Sequence, residues 1–306
     1  MPKPLVPVAN RPILFHHLDA LRHAGMLEAT IAAEPESIAA IRAAVGDGDR
    51  WGLRVAYAES PERLALEDAL VMARGFVGDE PVLVQRVGAL LLERIQPHVA
   101  AFAGERLDAL ALRLTRSDSA DDDALDGGCM LSERAVSILT ERRSPAADVL
   151  SRVRDEGGQV RLQDVDGCLP CDGGEDALLE ANRRMLETIV TDVDPVSLRG
   201  STLEGQVIVH PTSRVEESLI RGPAIIGPRA CIKRAYVGPY TSIGPDVLVE
   251  GSEIEHSIVF AGAELSFIGM RLETSVIGPR ACVTRSFAVP RALRLSIGEG
   301  AEVAVS

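Results

Sequence analysis

Two textures within one chain predict an α/β domain followed by a left-handed parallel β-helix of hexapeptide repeats. Between residues 11 and 186 helical and strand periods alternate, the pattern of an α/β sheet protein. From Thr202 onward aliphatic residues recur six apart, at Val209/Val215, Ile226/Ile232, Val237/Ile243, Val259/Leu265 and Ile277/Val283. A third observation fixes the repeat: Ile-Ile-Gly-Pro-Arg-Ala-Cys-Ile-Lys-Arg, from Ile225 to Arg234, returns almost unchanged from Val276 to Arg285, 51 residues on and three times 17. Six-residue steps, three to a coil, bury each aliphatic residue against its counterparts in neighbouring coils. At 306 residues the chain exceeds the length at which one hydrophobic core stops growing. Two domains are therefore expected, residues 1–198 and 199–306, with a short bridge near 192–198.

Taken in order, Pro12 stands at the first position of a helix whose apolar stripe, Ile13, Leu14, Leu18 and Leu21, closes at Gly25. Residues 29–33 read as a short buried strand, 36–45 as a helix and 53–58 as the next strand. A helix over 62–76 ends at Gly78, and 81–85 form another buried strand. A helix over 91–102 and a strand over 107–114 follow, and then the charged run from Asp118 to Asp123, a solvated loop. Helices over 133–140 and 146–153, a strand over 160–165 and a helix over 175–189 complete the first domain. Continuous apolar strands separated by helices imply a parallel sheet covered on both faces. In the repeat, Cys231 and Cys282 hold equivalent places and read as small interior fillers rather than reactive thiols.

Composition narrows the function classes. The chain is 46% apolar and 25% charged, which excludes a disordered polymer. Its longest apolar runs, such as 81–85 and 89–92, fall far short of the roughly 20 residues of a membrane-spanning helix. No apolar stretch with a cleavage site follows Met1, and five cysteines form no disulfide framework, so a cytoplasmic protein is expected. A net charge of −13 argues against nucleic acid or an anionic membrane as partner. Of 32 basic residues only Lys3 and Lys233 are lysines, so chemistry that needs a lysine has two candidates.

The stretch Lys3-Pro-Leu-Val-Pro-Val-Ala-Asn-Arg-Pro12, followed by its amphipathic helix, resembles the sugar nucleotidyltransferases. More narrowly, it is similar to the long glucose-1-phosphate thymidylyltransferases of antibiotic-sugar pathways, which end in a β-helix. Leu-Leu-Glu-Ala-Asn-Arg at 178–183 and the stretches 221–227, 254–259 and 290–294 match as well, so the resemblance covers essentially the whole chain. It implies a nucleotide-binding, Rossmann-like first domain, Mg²⁺-dependent attack of a sugar 1-phosphate on a nucleoside triphosphate, and an oligomer. Two phosphate-bearing anions must meet in that reaction, which calls for amides and cations around the phosphates and carboxylates around the metal.

Carried over residue by residue, most of that machinery has changed. In the family a Gly-rich loop after the first strand cradles the triphosphate; this chain begins after that point, and the sheet is expected to lack or rearrange a central strand. Where the family has a metal-binding aspartate in G-D-N, this chain has Val87-Gly88-Ala89. Where a second aspartate stands in W-K-D-T-G, it has Gly167-Cys-Leu-Pro-Cys-Asp-Gly173, with Cys171 at the aspartate and Asp172 one step along. The E-K-P segment whose lysine receives the sugar phosphate falls in a deletion around 115–126. Lys3 remains from the phosphate-binding set as a vestige. Glu67 and Asp68, where the family contacts the nucleotide, would repel a triphosphate.

Other constellations carry less. Cys168-Leu-Pro-Cys171 has redox or half-zinc spacing but no second pair. His210 and His256 are the candidates if the β-helix were an acyltransferase using a coil-edge histidine as base. His16, His17 and His23 lie on the first helix with no nearby nucleophile and read as partly buried or surface residues. The leading expectation is a degenerate family member, not active in nucleotidyl transfer and needing no cofactor. Its structural, regulatory or repurposed role would be exercised as a homo-oligomer or with a paralogue or pathway enzyme. The alternatives are an active sugar-1-phosphate nucleotidyltransferase and a β-helix acyltransferase.

Overall fold

A computed structural model of the chain describes residues 1–60, 68–72, 80–115, 126–141, 149–168, 174–193 and 198–285. The acidic loop 118–123, Cys171, Asp172 and residues 290–294 lie outside the described residues. Of the helix expected over 62–76, residues 68–72 are described and are helical.

A two-residue strand, Pro7–Val8, turns back on Arg11–Pro12 through Ala9 and Asn10, both left-handed at φ 49° and 59°. Pro12 therefore ends an extended segment and precedes the helix Ile13–His23 instead of occupying its first turn. That helix buries Ile13, Leu14, Phe15, His17 and Leu18. Strand Glu28–Ala33 pairs in parallel with Arg54–Glu59, joined by the helix Pro35–Val45, which starts on a proline and stops at the left-handed Gly46.

The remaining strands of the α/β part form a separate four-stranded sheet in the order Val82–Val84, Gly128–Leu131, Ala109–Leu114, Val160–Val165. Only the last pair is parallel; Gly128–Leu131 runs antiparallel to both neighbours. The expected all-parallel sheet is thus mixed, and the cause lies at Gly127 and Gly128. The Gly127 N–H donates to Leu112 O at 2.8 Å, tying the start of Gly128–Leu131 to the neighbouring strand as an antiparallel partner. A Cβ on Gly127 would come 2.7 Å from Leu112 O, and one on Gly128, at φ 114°, would come 2.8 Å from Val84 O. Strand alternation then sorts the core. Ala109, Ala111, Cys129 and Leu131 face the helices Glu133–Glu141 and Val149–Asp155, while Leu110, Leu112, Leu114 and Met130 face Phe102 of the helix Gln96–Gly104. This last helix starts later than the sequence suggests because Leu90–Leu91 is drawn into an antiparallel pair with Gly167–Cys168, extended by Leu92 N–H to Asp166 O at 2.9 Å. The helix Ile13–His23 touches both sheets: Leu14, Phe15 and Leu18 pack with Ile31, and His17 reaches Gln85.

Beyond the helix Gly174–Leu186, the chain winds into a parallel β-solenoid of about five turns, with sheets of six, six and five strands. Along one face the register runs Ile208, Ile225, Ser242, Ile258, Val276. The last three steps are 17, 16 and 18 residues, so the 51-residue echo spans three unequal coils. The long step carries Phe267 and Met270 outward, the latter 76% exposed. Gly222 fits where coils meet most closely, since a Cβ there would lie 2.0 Å from Gln206 O. The interior is a stack of Val, Ile, Leu and Ala, from Val207 to Leu265, fully or almost fully buried, with the buried Thr241 in register with Val207 and Ala224. Cys231 and Cys282 are not part of it. Each flanks an inward aliphatic, Ile232 or Val283, and alternation turns the thiol outward; Cys231 is half-buried and Cys282 exposed. Among the described residues no helix is long and apolar enough to cross a membrane.

Candidate functional site

Three of the sequence-derived positions converge. Lys3 stands exposed on a 3-10 turn, Lys3–Leu5, that closes with Val6 N–H on Lys3 O at 3.1 Å. The following segment is fastened to the first helix by Ile13 N–H to Val6 O at 3.0 Å and by His16 Nε2 against Val8 O at 3.1 Å. Gly88 lies in the turn after strand Val82–Val84, where Ala89 N–H donates to Arg86 O at 3.1 Å. Two residues on, Leu90 faces Cys168 in the antiparallel pair, so positions 78 residues apart in sequence meet. Val6, Val87, Leu90 and Cys168 share one apolar cluster, which places the Lys3 turn, the Gly88 turn and the strand leading to Cys171 around a common floor.

The chemistry available there is sparse. Gly88 offers no side chain. Burial pushes the Cys168 thiol up to about 11, so it is protonated at neutral pH, the reverse of a reactive or metal-ligating thiolate. Arg184 faces the same strand pair, donating to Gly167 O at 2.9 Å and to Asp166 Oδ1 at 2.5 Å. Among the described residues no group of three His, Cys, Asp or Glu side chains lies together.

A polar feature that the sequence reading did not assign lies beside the Gly88 turn. His17 is 6% exposed, its Nδ1 lies 3.5 Å from Gln85 Oε1, and Gln85 Nε2 lies 3.5 Å from Gly127 O. Desolvation lowers the His17 pKa to about 4, and that of His16 falls for the same reason. The neutral His17 leaves Nε2 buried without a hydrogen-bond partner. The adjacent His16-His17 at the buried start of an amphipathic helix was the signal that could have found it.

The solenoid histidines stand apart from this cluster. His210 is exposed and its Nδ1 accepts from Thr212 N–H at 3.2 Å, a local turn contact. His256 turns a coil corner at φ 45°, with its ring 4.9 Å from that of Tyr240. Each makes a contact within the solenoid, His210 with Thr212 and His256 with Tyr240. His23 is exposed and its Nδ1 lies 2.7 Å from Asp19 O.

Comparison with known proteins agrees with this geometry. The Nucleotidyl transferase family profile matches residues 1–103. The chain is 33% identical to a glucose-1-phosphate thymidylyltransferase of Streptomyces griseus, with 99% of this chain and 94% of the relative covered. It is 28% identical to the enzyme of the same name from Streptomyces antibioticus, with 99% and 93% covered. The low-salt glycan biosynthesis nucleotidyltransferase Agl11 of Haloferax volcanii is 27% identical, with 99% and 94% covered. A Bacillus anthracis crystal structure described as a glucose-1-phosphate thymidylyltransferase, in complex with sucrose, superposes with a TM-score of 0.53 over 63% of this chain and 89% of that one. At 17% identity that superposition speaks to the fold alone.

Proposed function

The chain belongs to the glucose-1-phosphate thymidylyltransferase family, and on that footing we propose that it has kept the family framework while leaving nucleotidyl transfer, acting instead as a structural or regulatory member of an assembly in deoxysugar-type metabolism. The observation that carries this reading is Gly88. The turn that follows strand Val82–Val84 is the position of a metal-binding aspartate in the resemblance, and a residue without a side chain cannot ligate Mg²⁺. Cys171 at the second aspartate and the lost E-K-P lysine point the same way, and none of the three depends on where the chain begins. Each alteration weakens the same transition state, in which metal and cations must neutralise charge building on the transferred phosphoryl group.

Turnover of dTTP and glucose 1-phosphate with Mg²⁺, followed by pyrophosphate release, is expected to stay at background. A rate in the ordinary enzyme range of roughly 1–10³ s⁻¹ would establish the competing reading, an active nucleotidyltransferase with unusual residues. Gly88→Asp is expected to restore no activity, because a single carboxylate leaves the second metal position and the sugar-phosphate lysine unfilled.

The retained function would then lie in association. The interior ladder from Val207 to Leu265 has stayed aliphatic at almost every position, although a polar residue in it costs roughly a kcal/mol or more. A solenoid intact beside an altered catalytic centre supports a surface still in use, filled by a second copy of this chain or by an intact paralogue. Light scattering at micromolar concentration is expected to report an oligomer, and a pull-down from the native host a paralogue. A monodisperse monomer that captures no paralogue overturns this part.

A further inference from the structure

The face of the solenoid that meets the α/β part presents an outward column of Ile208, Ile225, Ser242, Ile258 and Val276. Four of these five are aliphatic, Asp192 precedes them in the same register, and Ser242, the polar residue among the five, is fully buried. Opposite it stands Asn182, also fully buried, on the helix Gly174–Leu186. Ser242 Oγ donates to Asn182 Oδ1 at 2.7 Å, and Ala9 N–H donates to the same oxygen at 2.9 Å. Asn182 Nδ2 donates to Tyr240 O at 3.2 Å, and Asn10 Nδ2 donates to Ile243 O at 2.6 Å. Around this polar knot the contact is apolar, with Val8, Ile13, Leu178 and Ala181 against Ile258 and Phe260.

An apolar column that repeats every coil offers equivalent seats about 4.8 Å apart, one strand spacing, so aliphatic packing alone does not choose among them. A buried polar pair does, because displacement by one coil would set Ile225 or Ile258 where the Ser242 hydroxyl donates to Asn182 Oδ1, and the lost buried hydrogen bond carries a cost of the kind that lets a single buried asparagine fix register in a coiled coil. From this we infer that the Asn182–Ser242 pair is a register key. It selects the one coil on which the α/β part seats and makes the solenoid hold the Ala9–Asn10 turn, at the end of the segment that begins with Lys3. The inference is independent of whether nucleotidyl transfer survives. It gives the tail a task inside the chain: a shift in the solenoid, such as a partner docking on its ends, is transmitted to the Lys3 segment through these four hydrogen bonds.

Threonine and valine have the same shape, so comparing Ser242→Thr with Ser242→Val in the full chain isolates the hydroxyl. Hydrogen exchange of the Ala9 amide is the readout, with the amides of Val215, Ile232 and Val249 as interior controls. The valine variant is expected to lower Ala9 protection about 10-fold or more below the threonine variant, with the controls unchanged. Equal Ala9 protection in the two variants overturns the inference, as does a loss shared equally by the controls, which would mean damage to the coils. Should both larger residues prevent folding, Ser242→Ala decides, since it removes the hydroxyl without adding bulk; wild-type protection at Ala9 in that variant overturns the inference.

Discussion

Replacing Ile232 by alanine is expected to lower the unfolding free energy by about 2–5 kcal/mol, the range for deleting a fully buried isoleucine from a core that cannot collapse around the gap. Ile232 is 0% exposed and pairs in register with Val215 below and Val249 above, both also fully buried. In a solenoid each coil contacts only its neighbours, so the lost contacts cannot be shared across a wide core. The backbone ladder that fixes coil spacing, with Arg214 N–H on Ala230 O at 2.9 Å and Cys231 N–H on Val247 O at 2.8 Å, prevents the adjoining coils from closing on the void. Urea unfolding followed by far-UV circular dichroism reads the effect. Cys231→Ala, one residue away but pointing outward, is expected to change stability by less than about 1 kcal/mol. Similar losses for the two would mean that inside and outside are assigned the wrong way round.

That contrast also marks how far the sequence carries. The solenoid was legible because its period is enforced by geometry: most inward positions are aliphatic, Thr241 being an exception, so the pairs from Val209/Val215 to Ile277/Val283 declare the interior directly. The orientation of Cys231 was misread for the opposite reason. A repeated cysteine repeats whether it faces in or out, and only its placement beside Ile232 in a three-residue strand settles the side. In the α/β part, elements with strong periodicity and glycine or proline ends fell close to their expected places, among them Pro35–Val45 and Val160–Val165. The strand Gly128–Leu131 was missed because it is four residues long and its identity depends on the Gly127–Gly128 return, not on its own pattern. The pair Leu90–Leu91 with Gly167–Cys168 was equally invisible, being two residues on each side with partners 76 and 78 apart.

For the candidate site, the positions came from resemblance and the meeting of them from the fold. Nothing in the spacing of Lys3, Gly88 and Cys168 announces a shared apolar floor of Val6, Val87 and Leu90. Asn182 lay within a stretch recognised for its likeness to relatives, yet its partner Ser242 is 60 residues away, and a single serine among aliphatics in one column of a solenoid becomes visible only once the register is known. The chemistry of His17 was similarly out of reach, because a histidine on a helix declares neither its burial nor its tautomer.

His17 should make the protein acid-sensitive in a window above that of its carboxylates. In the folded chain desolvation holds its pKa at about 4, with the hydrogen bond to Gln85 only partly opposing, whereas the unfolded chain protonates it near the ordinary 6.5. Because the native state binds the proton less readily, the contribution is fully present above pH 6.5, falls as pH drops through the interval from 6.5 to 4, and is level below it. From the linkage relation the loss is about 2 kcal/mol by pH 5 and about 3 kcal/mol by pH 4, a large part of the 5–15 kcal/mol typical of a folded domain. His16, shifted in the same direction by the same cause, adds to it. His17→Gln removes the titration while keeping an amide that can reach Gln85. Urea midpoints at pH 7.5 and pH 5 are therefore expected to separate widely for the wild-type chain and markedly less for the variant, with the difference concentrated in the transition that unfolds the α/β part. Equal separations in the two proteins would place His17 in contact with water and remove the buried, neutral imidazole from the account of the site.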